Sequence, residues 1–216
     1  MTLNLKVAII TGATSLMAEE TCKRLVGWDI HLCSRSYNGV DVTDSESIKE
    51  FLSSVNRVDA LINIAGGKNG ISKNKFLDMT PDEFNKIMDV NFNSVVNMTR
   101  ACIPKMQNGG SIISIVSAAA YTGLPRMSAY SAAKAAVLAF TKTIAQEYAE
   151  QNIRANCILP GYTLSKHAKE TPINKLTSLG PTKPADVADM IEFLLSNKAS
   201  HITGSCFDIS GGVALH

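Results

Sequence analysis

Short apolar runs alternate along the chain with longer stretches whose apolar residues recur every three or four positions. The first run, Lys6-Val7-Ala8-Ile9-Ile10-Thr11, is continuous and ends at Gly12, which predicts a strand buried on both faces. The same signals predict strands over residues 29–34, 59–64, 111–117, 153–159 and 206–209. Helical periodicity predicts helices over 16–26, 80–106, 128–151 and 184–195, and another whose apolar face is Ile48, Phe51, Leu52 and Val55. Thr43 with Glu46 reads as a capping box, Asn38-Gly39 as a turn, and Thr80-Pro81-Asp82-Glu83 as a cap with Pro at the first helical position. Strands alternating with helices predict an α/β fold, a doubly wound parallel sheet covered on both faces. No repeat or linker divides residues 1–216, so one domain is expected. Ligands of such sheets bind at the carboxyl ends of the strands. Thr11-Gly12, Ser34-Arg35, Asn63-Ile64-Ala65-Gly66, Ser117 and Pro160-Gly161 all follow strand runs and fall on that edge.

Composition narrows the function classes. The 216 residues are 45% hydrophobic and 19% charged, a globular balance. With 21 basic and 19 acidic residues the net charge is +2 and no basic stripe appears, which argues against nucleic acid or membrane as partner. Five separated cysteines without Cys-x-x-Cys, and histidines at 31, 167, 201 and 216, give no disulfide framework or metal-ligand spacing. The N-terminus shows no signal peptide and no apolar stretch spans a bilayer, so a reducing, cytoplasmic setting is expected.

The strongest chemistry lies in Ser128-Ala129-Tyr130-Ser131-Ala132-Ala133-Lys134, within a run rich in helix formers. Tyr130 and Lys134, four residues apart, share one helix face. A nearby cation favours an ionised phenol, so such a pair can move a proton nearer neutral pH. Taken alone, the pair far more often describes a surface Lys beside a half-buried Tyr, because short motifs match often by chance.

Nearly the whole chain resembles the short-chain dehydrogenase/reductase family. The matching segments are Thr11-Gly12-Ala13-Thr14-Ser15, Asp41-Val42-Thr43, Asp59-x-Leu61-Ile62-Asn63-x-Ala65-Gly66, Asn91, Ser117, Tyr130-x-x-x-Lys134, Asn156-x-Ile158-x-Pro160-Gly161, Ile202-Thr203-Gly204 and Asp208-Ile209-Ser210-Gly211-Gly212. Ser117 precedes Tyr130 by thirteen residues, the family spacing. The resemblance implies Tyr130 as general acid or base, and Lys134 lowering its pKa and holding the nicotinamide ribose. It implies Ser117 on the substrate oxygen, and Asn91 holding a water in a proton relay. It places Gly12, Thr14, Ser15, Leu16, Ser34, Arg35, Asp41, Val42, Asn63, Ala65, Gly66, Tyr130, Lys134, Pro160, Gly161, Thr163 and Ser165 beside the cofactor, and residues 162–182 over the substrate as a lid. It also implies a homodimer or homotetramer paired through the helices over 80–106 and 128–151.

Where NAD-type sites carry an acid after the second strand, this chain has Ser34-Arg35-Ser36. A guanidinium with two hydroxyls suits a 2′-phosphate, so NADP(H) is expected over NAD(H), the alternative being a solvated loop Arg. Two departures stand out. Leu16 and Ala18 occupy positions where the family has glycine, and Leu16 is expected to crowd the pyrophosphate. Between Arg35 and Asp41 there are too few residues for a crossover, which needs about 10–12. The helix after the second strand and the usual third strand are therefore expected to be shortened or absent, leaving six main strands. The leading expectation is an NADP(H)-dependent oxidoreductase acting on a small-molecule ketone or secondary alcohol. The alternatives are a non-redox dehydratase, isomerase or cyclase using Tyr130, and a non-catalytic scaffold.

Overall fold

The computed structural model describes residues 5–67, 75–163 and 179–212. Six strands form one parallel sheet in the order β2-β1-β3-β4-β5-β6: β1 (Lys6–Thr11), β2 (Trp28–Cys33), β3 (Ala60–Asn63), β4 (Gly110–Ile115), β5 (Ile153–Pro160) and β6 (Cys206–Ile209). Alternate strand residues feed opposite layers. Ile9, Leu61, Ile112 and Ala155 face one cluster, shared with Met98, Cys102, Ile144 and Ala145 of the helices α5 (Ser94–Cys102) and α7 (Ser128–Glu147). Ala8, Ile10, Ile62 and Ile113 face the other, with Ala18 of α1 (Leu16–Arg24) and Val187, Ile191 and Leu194 of α8 (Pro184–Leu195). Each fully buried Ile or Leu of these layers contributes roughly 1.5–3 kcal/mol. That explains why the strands read as unbroken apolar runs.

The chain leaves β1 toward β2, then returns to place β3 on the other side of β1. This reversal opens a crevice at the carboxyl ends of β1 and β3. After β2 there is one helical turn, α2 (Arg35–Asn38), closed by Gly39 at φ +78°, and among the described residues no strand pairs on the outer side of β2. β2 is therefore an edge strand, as the short Arg35-to-Asp41 connection required.

Several boundaries differ from the sequence expectation. The first helix ends at Arg24, because Gly27 at φ +80° turns the chain before β2. Asn38-Gly39 closes α2 instead of forming a simple turn. The helix α3 (Ser45–Phe51) is capped by Asp44, which accepts from the Glu46 N–H at 3.1 Å. Thr43 instead turns its hydroxyl to Asp41 at 2.7 Å. The expected helix over 80–106 is α4 (Pro81–Met88), a π turn (Asp89–Asn93), α5 and a 3₁₀ turn (Ile103–Lys105). Its Thr80–Glu83 capping box is present. The fourth strand stops at Ile115, and a short helix α6 (Ala119–Thr122) that no periodicity signalled follows Ser117. α7 ends at Glu147, its continuation tightening to a 3₁₀ turn (Ala149–Gln151). Most of the expected lid, with Ser165, lies outside the described residues.

Candidate active site

α7 is long because nothing in its twenty residues breaks it, and alanines let it lie close to the sheet. Its buried face comprises Ala129, Tyr130, Ala133, Lys134, Val137, Thr141, Ile144 and Ala145. Lys134 is therefore not a surface lysine: only 4% of it is exposed, and 6% of Tyr130. The Lys134 ammonium donates to the Ile115 carbonyl at the end of β4, at 2.9 Å, and lies 5.9 Å from the centre of the Tyr130 ring. Burial pushes its pKa down to about 8.

Asn91 reaches the same point from the π turn. Such turns insert one residue into a helix and occur often at functional sites. The Asn91 side chain is buried and fully engaged. Its Oδ1 accepts from the Gly67 N–H at 2.9 Å, and its Nδ2 donates to the Ile87 carbonyl at 3.0 Å. Gly66 lets these groups converge. A Cβ there would stand 2.8 Å from Asn91 Oδ1 and 3.4 Å from Lys134 Nζ, and Gly66 has φ +133°.

Ser117 follows β4, and its hydroxyl accepts from the Ala119 N–H at 3.3 Å. It also hydrogen-bonds the Tyr130 phenol. Burial raises the pKa of that phenol, and the Ser117 bond offsets only part of the rise. The expectation that Lys134 brings the phenol below its ordinary value is thus corrected: in this structure desolvation wins. Tyr130 is protonated at neutral pH, the state needed to give a proton to a substrate oxygen.

A cleft of about 590 Å³ opens beside this group at the sheet crevice. Of the expected cofactor residues, Gly12, Ser34, Arg35, Asp41, Val42, Ala65 and Gly66 line it, together with Asn91. Thr14, Ser15, Leu16, Asn63, Tyr130, Lys134, Pro160, Gly161 and Thr163 are not among its lining residues. Leu16, half-buried, begins α1 behind the Ser15 cap, whose hydroxyl accepts from the Ala18 N–H at 3.1 Å. Gly12 is needed where it is, since a Cβ would come within 2.9 Å of the Ala65 nitrogen, and its φ is +73°. Thr14 touches the rim through Ser36, oxygen to oxygen at 3.4 Å. Asn63 is buried, with Nδ2 donating to the Ser114 hydroxyl at 3.4 Å. Gly161 and Thr163 sit past β5, where Thr182 accepts from the Gly161 N–H at 3.1 Å and donates to the Ile209 carbonyl at 2.9 Å.

The residues present fit a dinucleotide. The Ser34 hydroxyl is buried at the cleft and has no hydrogen-bond partner among the described residues, an oddity that a ligand oxygen would resolve. Arg35 is largely exposed, with a loose 3.7 Å contact to Asp41. Burial works to raise the Asp41 carboxyl. The Thr43 hydroxyl and N–H, with Arg35, outweigh it, and the pKa falls below the ordinary value. Sequence reasoning missed Ile87, Val90, Glu83 and Lys86, which also line the cleft. The spacing of Ile87 and Val90 ahead of Asn91 puts all three on one helix face, and that was the available signal.

This arrangement defines a Rossmann-type dinucleotide enzyme with a Ser-Tyr-Lys-Asn group. A family model described as enoyl-(acyl carrier protein) reductase matches residues 14–214. The chain is 34% identical to the 3-oxoacyl-[acyl-carrier-protein] reductase FabG of Thermotoga maritima, over 82% of this chain and 76% of the relative. It is 30% identical to acetoacetyl-CoA reductase of Acinetobacter sp., over 98% of each. A crystal structure of 3-ketoacyl-(acyl-carrier-protein) reductase from Brucella melitensis complexed with NADH superposes with TM-score 0.87 at 27% identity, covering 97% of this chain and 98% of that one. Acetoin dehydrogenase from Enterobacter cloacae superposes with TM-score 0.87 at 26% identity, covering 99% and 96%. The chain belongs to the short-chain dehydrogenase/reductase family and is an NAD(P)-dependent oxidoreductase. Among the described residues no helix is long and apolar enough to cross a membrane.

Proposed function

We propose that this chain is an NADP(H)-dependent oxidoreductase that interconverts a small-molecule ketone and its secondary alcohol, with Tyr130 as the acid–base group. The observation that carries the reading is a linked group beside the cleft: Ser117 hydrogen-bonds Tyr130, Lys134 lies 5.9 Å from the Tyr130 ring, and Lys134 and Asn91 both approach Gly66. The named relatives act on 3-oxoacyl, acetoacetyl and acetoin groups, and a ketone or secondary alcohol is common to these.

A nicotinamide held there would supply the hydride for the carbonyl carbon, or take it up in the reverse direction. Gly12, Ala65 and Gly66 would hold the dinucleotide along the crevice, with Ser34, Arg35, Asp41 and Val42 at its adenosine end. Pro160, Gly161, Thr163 and Ser165 belong to the same reading at the nicotinamide end. Ser117 donates to the substrate oxygen and orients it toward Tyr130. Tyr130, neutral through burial, protonates that oxygen as negative charge grows on it. Lys134 keeps a positive charge beside the phenolate that remains, and Asn91 fixes the Gly66–Gly67 backbone against it.

The test is NADPH oxidation across a panel of ketones, compared with NADH. Turnover with at least one ketone and a higher kcat/KM with NADPH are expected. Tyr130→Phe is expected to lower kcat by about 10²–10⁴-fold with cofactor binding retained. Equal or better use of NADH would sink the cofactor preference, and full activity in Tyr130→Phe would sink the assignment of the acid.

A further inference from the structure

We infer that Asn38 is a positioning residue for the cofactor, its side chain standing in for the strand and helix absent after β2. The inference rests on reading the cleft as the site of the dinucleotide's adenosine end.

β2 is the edge of the sheet, so one row of its backbone groups has no neighbouring strand. Cys33 points its carbonyl inward, accepting from the Gly12 N–H at 2.9 Å. Backbone direction alternates along a strand, so Leu32 and Ser34 point theirs outward. A parallel neighbour would offer a single residue there, giving its N–H to the Leu32 carbonyl and accepting from the Ser34 N–H. A carboxamide carries the same donor and acceptor as a peptide group. Asn38 uses both: Nδ2 donates to the Leu32 carbonyl at 3.0 Å, and Oδ1 accepts from the Ser34 N–H at 3.2 Å. Gly39, left-handed, then turns the chain away, so the edge ends after one mimicked rung.

The consequence falls on the cleft. Ser34, held extended by that rung, launches Arg35 and Ser36, and all three line the cleft. Ser36 meets Thr14 at 3.4 Å and Arg35 meets Asp41 at 3.7 Å. Both are weak contacts that cannot fix the loop alone. Asn38 does not itself line the cleft. It acts by keeping Ser34, Arg35 and Ser36 in place before the cofactor arrives, which spares the ordering cost on binding. Tyr130 and Ser117 are built on other elements, so the chemical step is independent of it.

The test is fluorescence titration of NADPH and NADH into the parent protein, Asn38→Ala, Asn38→Asp and Tyr37→Ala, with 2′,5′-ADP as a competing probe. Tyr37 lies in the same helical turn, is exposed, and does not line the cleft. In Asn38→Ala, dissociation constants for NADPH and 2′,5′-ADP are expected to rise about tenfold. Asn38→Asp, which loses the donor, should fail to rescue, and Tyr37→Ala should match the parent. With the ketone that turns over best, kcat at saturating NADPH should stay within about twofold of the parent in every variant, since the acid–base group is untouched. Unchanged dissociation constants in Asn38→Ala, a fall in kcat instead, or an equal effect of Tyr37→Ala would overturn the inference. If the parent binds NADH as tightly as NADPH, the cofactor preference fails separately. The role of Asn38 is then decided by the NADH constants alone.

Discussion

Lys134 is a cation placed where water hardly reaches, donating a hydrogen bond to the Ile115 carbonyl. Its pKa of about 8 lies below the unfolded value of 10.5. Below pH 8 both folded and unfolded chains carry the proton, and the desolvation cost is fully present. Between pH 8 and 10.5 the unfolded chain binds more protons, so this group makes stability rise with pH. Lys134→Met removes the charge. Urea unfolding should show it more stable than the parent at pH 7 by up to about 3 kcal/mol, less about 1 kcal/mol for the lost bond to Ile115. The gap should close by pH 10, and a gap independent of pH would contradict the buried-cation account. Catalytic turnover should be lost in the same variant, which sets function against stability at one residue. Arg35 is the opposite case, an exposed cation whose value depends on a ligand. Arg35→Ala is expected to raise KM for NADPH roughly tenfold or more, from a lost charge-assisted bond, and to leave NADH nearly unchanged. A parallel loss with both cofactors would place Arg35 outside 2′-phosphate recognition.

At the level of elements, what the sequence disclosed depends on where the determining force lies. β1, β3, β4 and β5 were legible because both their faces are buried, leaving continuous apolar runs. The break in the helix over 80–106 was not. Asp89, Val90, Asn91, Phe92 and Asn93 keep an acceptable helical pattern, and the π turn goes with the tertiary bond from the Gly67 N–H to Asn91 and the local bond from Asn91 back to the Ile87 carbonyl one turn earlier. Asn91 itself was identifiable only through the family resemblance. Likewise Thr43 gave way to Asp44 as a cap because Asp41, drawn into the cleft wall, claims the Thr43 hydroxyl. The joint between the π turn and the loop after β3 can be tested at Gly66. Gly66→Ala puts a methyl 2.8 Å from Asn91 Oδ1 on a left-handed backbone. A loss of roughly 1–3 kcal/mol in chemical denaturation is expected, with kcat/KM falling because Asn91 and Lys134 are displaced. Wild-type stability and kinetics in this variant would mean that the three groups are not packed as described.

At the scale of the molecule, the missing crossover followed from a connection length, whereas assembly did not, because an outer face can meet solvent or another subunit with the same residues. α7 shows both sides of this. Its inner face holds Tyr130 and Lys134, while Ala132, Ala136, Ala139 and Thr143 form a stripe on the other side, exposed except for half-buried Ala136. Beside that stripe lie half-buried Leu138 and Phe140, the latter edge-on to Phe92 at 6.1 Å between ring centres. Small residues allow helix backbones to approach closely, and the aromatic pair adds apolar area next to them. The family resemblance assigns pairing to α4–α5 and α7, and a stable interface there would bury on the order of 1,200–2,000 Å². Light scattering is therefore expected to show a dimer or tetramer at micromolar concentration. Ala139→Arg, which sets a long cation in the middle of the stripe, should shift the population toward smaller species. Because the stripe faces away from Tyr130, the subunit fold should survive, and the cost should appear as lower thermal stability at low protein concentration. A parent protein that is monomeric at all concentrations would assign the alanines to helix packing within one subunit.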